Sequence, residues 1–401
     1  MPLFIAVSAT FLQQTLTYMS HLVVPIAAPE LARIFGLPVA LAGVHLAIVY
    51  GVSSTIMLFA GGFIRKFGAA RMSQYALAAT GVGLMLGAVG EVWALALGAV
   101  MIGTGSAFST PASSDILARY APPKHAPLIF SIKQTAVPVG GMLGGIMVPF
   151  LILGWDWQVM FLVLGASSVV MAVLFEAVRR TFDANRNPLH VISFQQGYQT
   201  LRGVLLPQRF REMIYATFTF CGLQGAFGAF FVTYLVQAVG MTLAEAGAVF
   251  AFAQGTSIVF RIGLGWLAGI WGTRPVLAML GLSMGIVSIV CGFINSDWPV
   301  VMITAAAAAY SATAISWHGV ILAEVAQLSK PGETATNTGG VLAFATAGQM
   351  TYPALFGLLL GLGGSFGLGF ILAGPPAFLV GLLFLRRGTE PTAQPSSSKA
   401  A

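Results

Sequence analysis

Along the chain, long apolar runs alternate with short polar breaks. Twelve runs can be marked, at 3–27, 39–64, 72–90, 93–118, 127–152, 157–178, 211–236, 243–268, 275–294, 298–327, 334–360 and 365–385. Most reach the length of about 20 residues that carries an α-helix through the hydrocarbon of a bilayer. The alternation of apolar and polar residues in units of about ten that marks a transmembrane β-barrel is not seen. The pattern predicts an all-α polytopic membrane protein with twelve transmembrane helices.

The breaks are unequal. The longest, "RRTFDANRNPLHVISFQQGYQTLRGVLLPQR" at 179–209, separates six runs from six. The expected organisation is a six-helix bundle over 1–178, a central loop over 179–209, a second bundle over 210–387 and a disordered tail over 388–401.

Basic residues sort the breaks into two sets. Arg65, Lys66, Arg71, Arg119, Lys124, Arg179, Arg180, Arg186, Arg202, Arg209, Arg211, Arg274, Lys330, Arg386, Arg387 and Lys399 fall on one side. The other side carries Arg33 with Glu30, Glu91, Asp156, Glu245 and Asp297. Positive charge is retained inside, so both termini and the long loop are expected in the cytoplasm. Trp93, Trp155, Trp157 and Trp298 mark the outer interface, and Trp266 and Trp271 the inner one.

Composition agrees with this picture. The 401 residues are 57% hydrophobic and 8% charged, with 48 glycines, and that is too little charge to cover a soluble domain. The net charge of +7 sits at helix ends, so it does not indicate a nucleic-acid partner. Cys221 and Cys291 lie inside apolar runs, which argues against a disulfide framework. The first run lacks a basic start and contains Gln13 and Gln14, so it reads as a retained helix and not as a cleaved signal.

The two halves repeat each other. "ILARYA" at 116–121 recurs as "ILAEVA" at 321–326, an offset of 205. "GGFIRKFGAAR" at 61–71 corresponds to "GWLAGIWGTR" at 265–274, with Gly61 and Gly68 matching Gly265 and Gly272 at an offset of 204. Two matches at nearly one offset indicate a parallel duplication of six helices, an arrangement of transporters whose site lies near the membrane midplane between the halves.

With these features the chain resembles a major facilitator superfamily transporter over essentially its whole length. That family's loop between helices two and three carries a glycine, an aspartate four residues on, a basic residue, a glycine and further basic residues. Gly61, Lys66, Gly68 and Arg71 fit, but Arg65 stands where the aspartate belongs, and Gly269 takes that place in the second copy. The runs "SIKQTAVPVGG" and "SWHGVILAEVAQL" are similar to those of bacterial members that carry small organic anions. The resemblance implies two pseudo-symmetric six-helix bundles in the cytoplasmic (inner) membrane.

Few charges enter the apolar runs, and each is a candidate for function. Lys133 lies about two turns into the fifth helix and Arg261 a similar distance from the basic end of the eighth. Helices five and eight are neighbours across the family's central interface, so the two cations are expected to face one cavity. With no acid at that depth they predict an anion site, although Arg261 could instead snorkel to the interface and Lys133 could bond helix-end carbonyls. Gln134 and Thr135 beside Lys133 could supply hydrogen bonds to substrate or merely join helices. Gln14, Tyr18 and His21 share one face of the first helix at i, i+4, i+7. In this family helices one, four, seven and ten line the cavity, which favours Tyr18, His21, Gln224 and His318 as lining. His21 or His318 would carry a coupled proton, if one is moved.

At the basic end, Asp115 and Arg119 form an i, i+4 pair. With Arg65, Lys66 and Arg71 nearby, Asp115 is a candidate for the missing gate carboxylate. Glu324 near Arg274 is its counterpart in the second half. "GLSMG" at 281–285 matches a serine-hydrolase elbow only by accident, because it lies within a helix. The pairs Gly140/Gly144 and Gly141/Gly145 are small-residue packing motifs, and Pro138 beside them would let the fifth helix bend.

The expected function is secondary transport of a small organic anion by alternating access, without a cofactor or metal, by a monomer in the bilayer. An exporter of amphiphilic compounds is the alternative, and it would be expected to hold a deep carboxylate. An enzyme would need a nucleophile–base or metal cluster. A non-transporting sensor would need an output domain.

Overall fold

The structure is a computed structural model, and it describes residues 2–36, 38–120, 126–184, 186–192, 195–329 and 334–385. Among these residues every regular element is helical. Ten helices are long and apolar enough to cross a membrane, or eleven if the bent pair α2 (Leu41–Met57) and α3 (Ala60–Phe67) is one span. The remaining segment of the expected twelve is α1 (Pro2–Phe35), whose 34 residues are long enough to cross. Its buried Gln13, Gln14, Thr15, Thr17, Ser20 and His21 lower its apolarity.

The other elements of the first half are α4 (Ala69–Leu86), α5 (Val92–Tyr120), α6 (Ala126–Gln134), α7 (Ala136–Gly154), α8 (Trp157–Leu174) and α9 (Glu176–Phe182). The connection holds α10 (Gln195–Leu205). The second half comprises α11 (Gln208–Tyr234), α12 (Leu243–Trp271), α13 (Thr273–Cys291), α14 (Val300–Ala314), α15 (His318–Leu328), α16 (Thr334–Gly361) and α17 (Phe366–Leu385).

Three expected continuous helices are interrupted. The second bends by 64° between α2 and α3. The fifth breaks at Thr135, between α6 and α7, and the tenth breaks at residues 315–317, between α14 and α15. Pro138 explains the second of these breaks. It has no amide proton for the carbonyl of Gln134 four residues back, and its ring crowds that carbonyl. The 179–209 connection, expected as a loop, carries the end of α9 and all of α10. Lys124, Lys330, Arg386, Arg387, Lys399 and the tail at 388–401 lie outside the described residues.

The packing repeats between the halves. In the first half α1 packs on α7, α4 on α8 and on α5, and α2 on α5. In the second, α11 packs on α16, α13 on α17 and on α14, and α12 on α14. These are the same partnerships carried forward by six helices. Across the middle, α2 meets α16 and α7 meets α12, a pair of contacts that the same two-fold exchanges, while α1 meets α11. The turns before α4 and α13 repeat too: Gly68 and Gly272 both adopt positive φ, +100° and +85°, which favours glycine at each copy.

The central contacts are close because small residues line them. A Cβ on Gly145 of α7 would sit 2.7 Å from the Gly247 carbonyl of α12, and one on Gly43 of α2 would sit 2.4 Å from the Pro353 carbonyl of α16. Helix α11 is buried along nearly its whole length. Outward faces are apolar: Leu153, Val173, Val259 and Leu372 are all exposed, as a lipid-facing surface requires.

Candidate functional site

The polar face of α1 organises the middle of the molecule. Gln14 Oε1 accepts hydrogen bonds from Lys133 Nζ at 3.1 Å, Ser109 Oγ at 3.2 Å and Thr110 Oγ1 at 3.1 Å. Lys133 is fully buried. It thus meets a neutral amide oxygen from α1, and the bond pins α6 to α1 and α5. One turn along α1, Tyr18 accepts at its hydroxyl from Gln224 Nε2 of α11 at 3.0 Å, a bond between the halves. Another turn on, His21 packs edge-on against Tyr50 of α2, with ring centroids 5.3 Å apart.

Arg261 is placed differently from Lys133 but has the same kind of partners. It donates from Nη1 to the Gln134 carbonyl at 2.7 Å and from Nη2 to the Ile315 carbonyl at 2.5 Å. Both carbonyls stand at helix breaks, and the Gln134 carbonyl lacks its usual donor because the residue four on is Pro138. Arg261 therefore does not extend to the interface. It is buried and ties the break in one half to the break in the other. His318 Nδ1 lies 3.4 Å from the same Nη2, and the His318 ring stacks on Trp317 at 3.8 Å. The Gln134 side chain is half-buried, and only its main chain takes part in this contact.

Several buried polar atoms have no hydrogen-bond partner among the described residues: both ring nitrogens of His21, His45 Nε2, Gln224 Oε1, Arg261 Nε and Trp317 Nε1. A buried donor or acceptor without a partner costs about 1–3 kcal/mol, so a group of them marks a place where something else bonds. The sequence did not single out Tyr50 or Trp317. An aromatic residue in an apolar helix carries no periodic signal that separates lining from core.

An open cleft of about 100 Å³ lies elsewhere, among Val24, Leu31, Phe35, Ala42, His45 and Val92 at the end away from the basic loops. Its lining is apolar apart from His45, so it offers nothing to hold a charged solute.

Of the candidate gate residues, the expected Asp115–Arg119 pair forms, while Arg71 and Arg274 take other partners. Asp115 pairs with Arg119 on its own helix at 2.9 Å, and not with Arg65 or Arg71. Arg71 pairs with Glu176 at 3.6 Å. Arg65 is exposed and accepts, at its main-chain carbonyl, from Asn187 N at 2.8 Å. Glu324 is buried and accepts from the Thr273 hydroxyl, while Arg274 pairs with Glu212 at 2.7 Å. The five ion pairs of the described residues each lie within one half.

The carboxylate at the α3–α4 turn is Asp183, from the connection that follows α9. It accepts from the Ala70 amide at 2.7 Å and the Arg71 amide at 3.0 Å, capping α4. Burial raises its pKa above the usual carboxylate value, and the two amides act in the opposite direction. Glu176 is pulled below its usual value by the Gln74 amide first, then by Arg179.

Known proteins share this architecture. A family model described as "Major Facilitator Superfamily" matches residues 7–339. "Uncharacterized transporter YybO" of Bacillus subtilis (strain 168) is 26% identical, the match covering 92% of this chain and 90% of that one. "Probable galactarate/D-glucarate transporter GudP" of the same organism is 22% identical over 71% and 68%. Among solved structures, an inward-facing, unoccupied bacterial homolog of the human lysosomal transporter Spinster superposes with a TM-score of 0.72 at 16% identity, covering 97% and 99% of the two chains. The peptide transporter POT bound to sulfate gives 0.73 at 15%, covering 95% and 94%. With its helical repeat, its central cross-contacts and this match over most of its length, the chain belongs to the Major Facilitator Superfamily and is a multi-pass membrane transporter of a small molecule.

Proposed function

We propose that the protein is a secondary active transporter of a small organic anion, a carboxylate, working by alternating access between its two halves. One observation carries this reading: Lys133 and Arg261 are buried, and their hydrogen-bond partners among the described residues are uncharged. Those partners are Gln14 Oε1, the two carbonyls and His318 Nδ1. Two buried cations with neutral partners leave positive charge uncompensated, and an anion that comes and goes offsets it.

The relative named for galactarate and D-glucarate, both carboxylates, agrees with this reading. The basic loops support a cytoplasmic placement for both termini and the 179–209 connection, in a bacterial inner membrane. On that orientation Lys133 and Arg261 lie toward the cytoplasmic side. The close α7–α12 and α2–α16 contacts lie toward the outside, so the described arrangement is closed outward. The halves would be the units 1–178 and 210–387.

The experiment is a ligand-stabilisation screen of the purified full-length protein against small carboxylates, neutral polyols and amphiphilic cations. Stabilisation by a carboxylate, lost in Lys133→Gln, is the expected result. Stabilisation by amphiphilic cations alone would replace this reading with export of amphiphiles.

A further inference from the structure

The anion reading accounts for the cations but not for the neutral polar atoms beyond them. His21 is more than nine-tenths buried, and neither ring nitrogen has a partner. Gln224 is buried to the same degree; its amide nitrogen bonds Tyr18, and its Oε1 is unpartnered. Tyr50 closes the group from α2. These residues come from both halves and from the face of α1 that also holds Gln14, the partner of Lys133.

Their chemistry is specific. A neutral imidazole offers one donor and one acceptor, and an amide oxygen offers an acceptor. A second charge placed there would find no counter-charge. An apolar group would leave every one of these atoms unpaired. A hydroxyl gives and takes one hydrogen bond each way and matches them.

The spacing sets a length. Gln14 and His21 are seven residues apart on α1, about 10 Å along the helix axis. With hydrogen-bond reach at both ends, a chain of roughly six carbons spans that distance.

We infer that the substrate is a polyhydroxylated carboxylate, its carboxylate at Lys133 and its hydroxyls at His21, Tyr18 and Gln224. This rests on the anion reading for the carboxylate end only. The hydroxyl end stands on the unpartnered atoms. In the arrangement described, Gln224 bonds Tyr18 directly across the halves. A hydroxyl entering between them takes over that bond and leaves the cross-half link routed through substrate.

The test uses three six-carbon probes on the purified full-length protein: D-gluconate, hexanoate and sorbitol, read by ligand-induced thermal stabilisation. Gluconate is expected to bind at least about tenfold more tightly than hexanoate, because losing hydroxyls strands the site's own polar atoms. His21→Phe, which keeps the ring against Tyr50, should bring gluconate down to the level of hexanoate. Gln224→Leu gives the same readout if the first variant does not fold. Equal binding of gluconate and hexanoate overturns the inference, the unpartnered atoms then being met by water, and leaves the anion reading intact. Sorbitol binding as well as gluconate upholds the hydroxyl site and overturns the anion reading. No binding of any probe overturns the assignment of a six-carbon hydroxy acid.

Discussion

Arg261 Nη1 donates to the Gln134 carbonyl at 2.7 Å, and Pro138, four residues on, is the reason that carbonyl is free. A proline in the fifth transmembrane segment thus creates an acceptor in one half that an arginine of the other half fills. The same guanidinium reaches the Ile315 carbonyl, at the break in the tenth segment. The link holds two broken helices together through a side chain.

Removing the guanidinium takes a donor from the Gln134 carbonyl and from the buried Ile315 carbonyl. Arg261→Gln should lower stability by about 2 kcal/mol or more, seen as a drop in the melting temperature of the detergent-solubilised protein. Pro138→Ala restores an amide proton for Gln134 and should return part of that loss in the double variant. If the two substitutions simply add, the carbonyl released by Pro138 is not what Arg261 serves.

Asp183 is the cap of α4, and its partner across the turn is Gly68. A Cβ on Gly68 would meet the Asp183 carboxylate carbon at 2.3 Å, and the φ of +100° already disfavours any other residue. Asp183→Ala should cost about 1 kcal/mol, the value of a helix cap. Gly68→Ala should cost more, because crowding and backbone strain add. Melting curves in one detergent rank the two, and the reverse order would contradict the capping role.

The same corner predicts an acid limb. The pKa of Glu176 is depressed below its ordinary 4.5. Its bonds to Gln74 and Arg179 therefore contribute fully above that value and are lost as pH falls through the lower folded value. Asp183 has the opposite sign: its pKa is raised above 3.8 by burial, so its protonation favours the folded state and that contribution fades as pH rises past the raised value. Glu176→Gln should flatten the fall in melting temperature as pH drops below 4.5, while Asp183→Asn should steepen it. Identical acid profiles for both variants and the parent would remove these two carboxylates from the account.

Much of the architecture was legible because it depends on periodic signals: apolar length, one-sided basic loops, and two motif matches near one offset. The deep placement of Lys133 was legible for the same reason, since an ammonium in an apolar run stands out. Its partner was not, because Gln14 lies 119 residues away in sequence and only the packing of α6 on α1 brings them together. Arg261 showed as a cation but not as a staple, since its acceptors are main-chain carbonyls that no side-chain pattern reports. The Asp115–Arg119 pair was legible from its i, i+4 spacing, whereas Asp183 reaches the α3–α4 turn over more than a hundred residues, which no local pattern reports. The break at Thr135 could be anticipated from Pro138. The break at 315–317 has no proline to announce it.

The central claim is that Lys133 anchors an anion, and Lys133→Gln tests it most directly. The substitution keeps a polar end, one bond shorter, and removes the charge. Affinity for the carboxylate found by screening, measured by calorimetry on parent and variant, should fall by about 30- to 150-fold, the worth of one charge-assisted contact of 2–3 kcal/mol. Lys133→Arg should recover only part of it, because the planar fork does not sit where the ammonium did. A folded Lys133→Gln protein that binds its carboxylate as tightly as the parent would contradict the claim and leave Lys133 as a structural bond to Gln14.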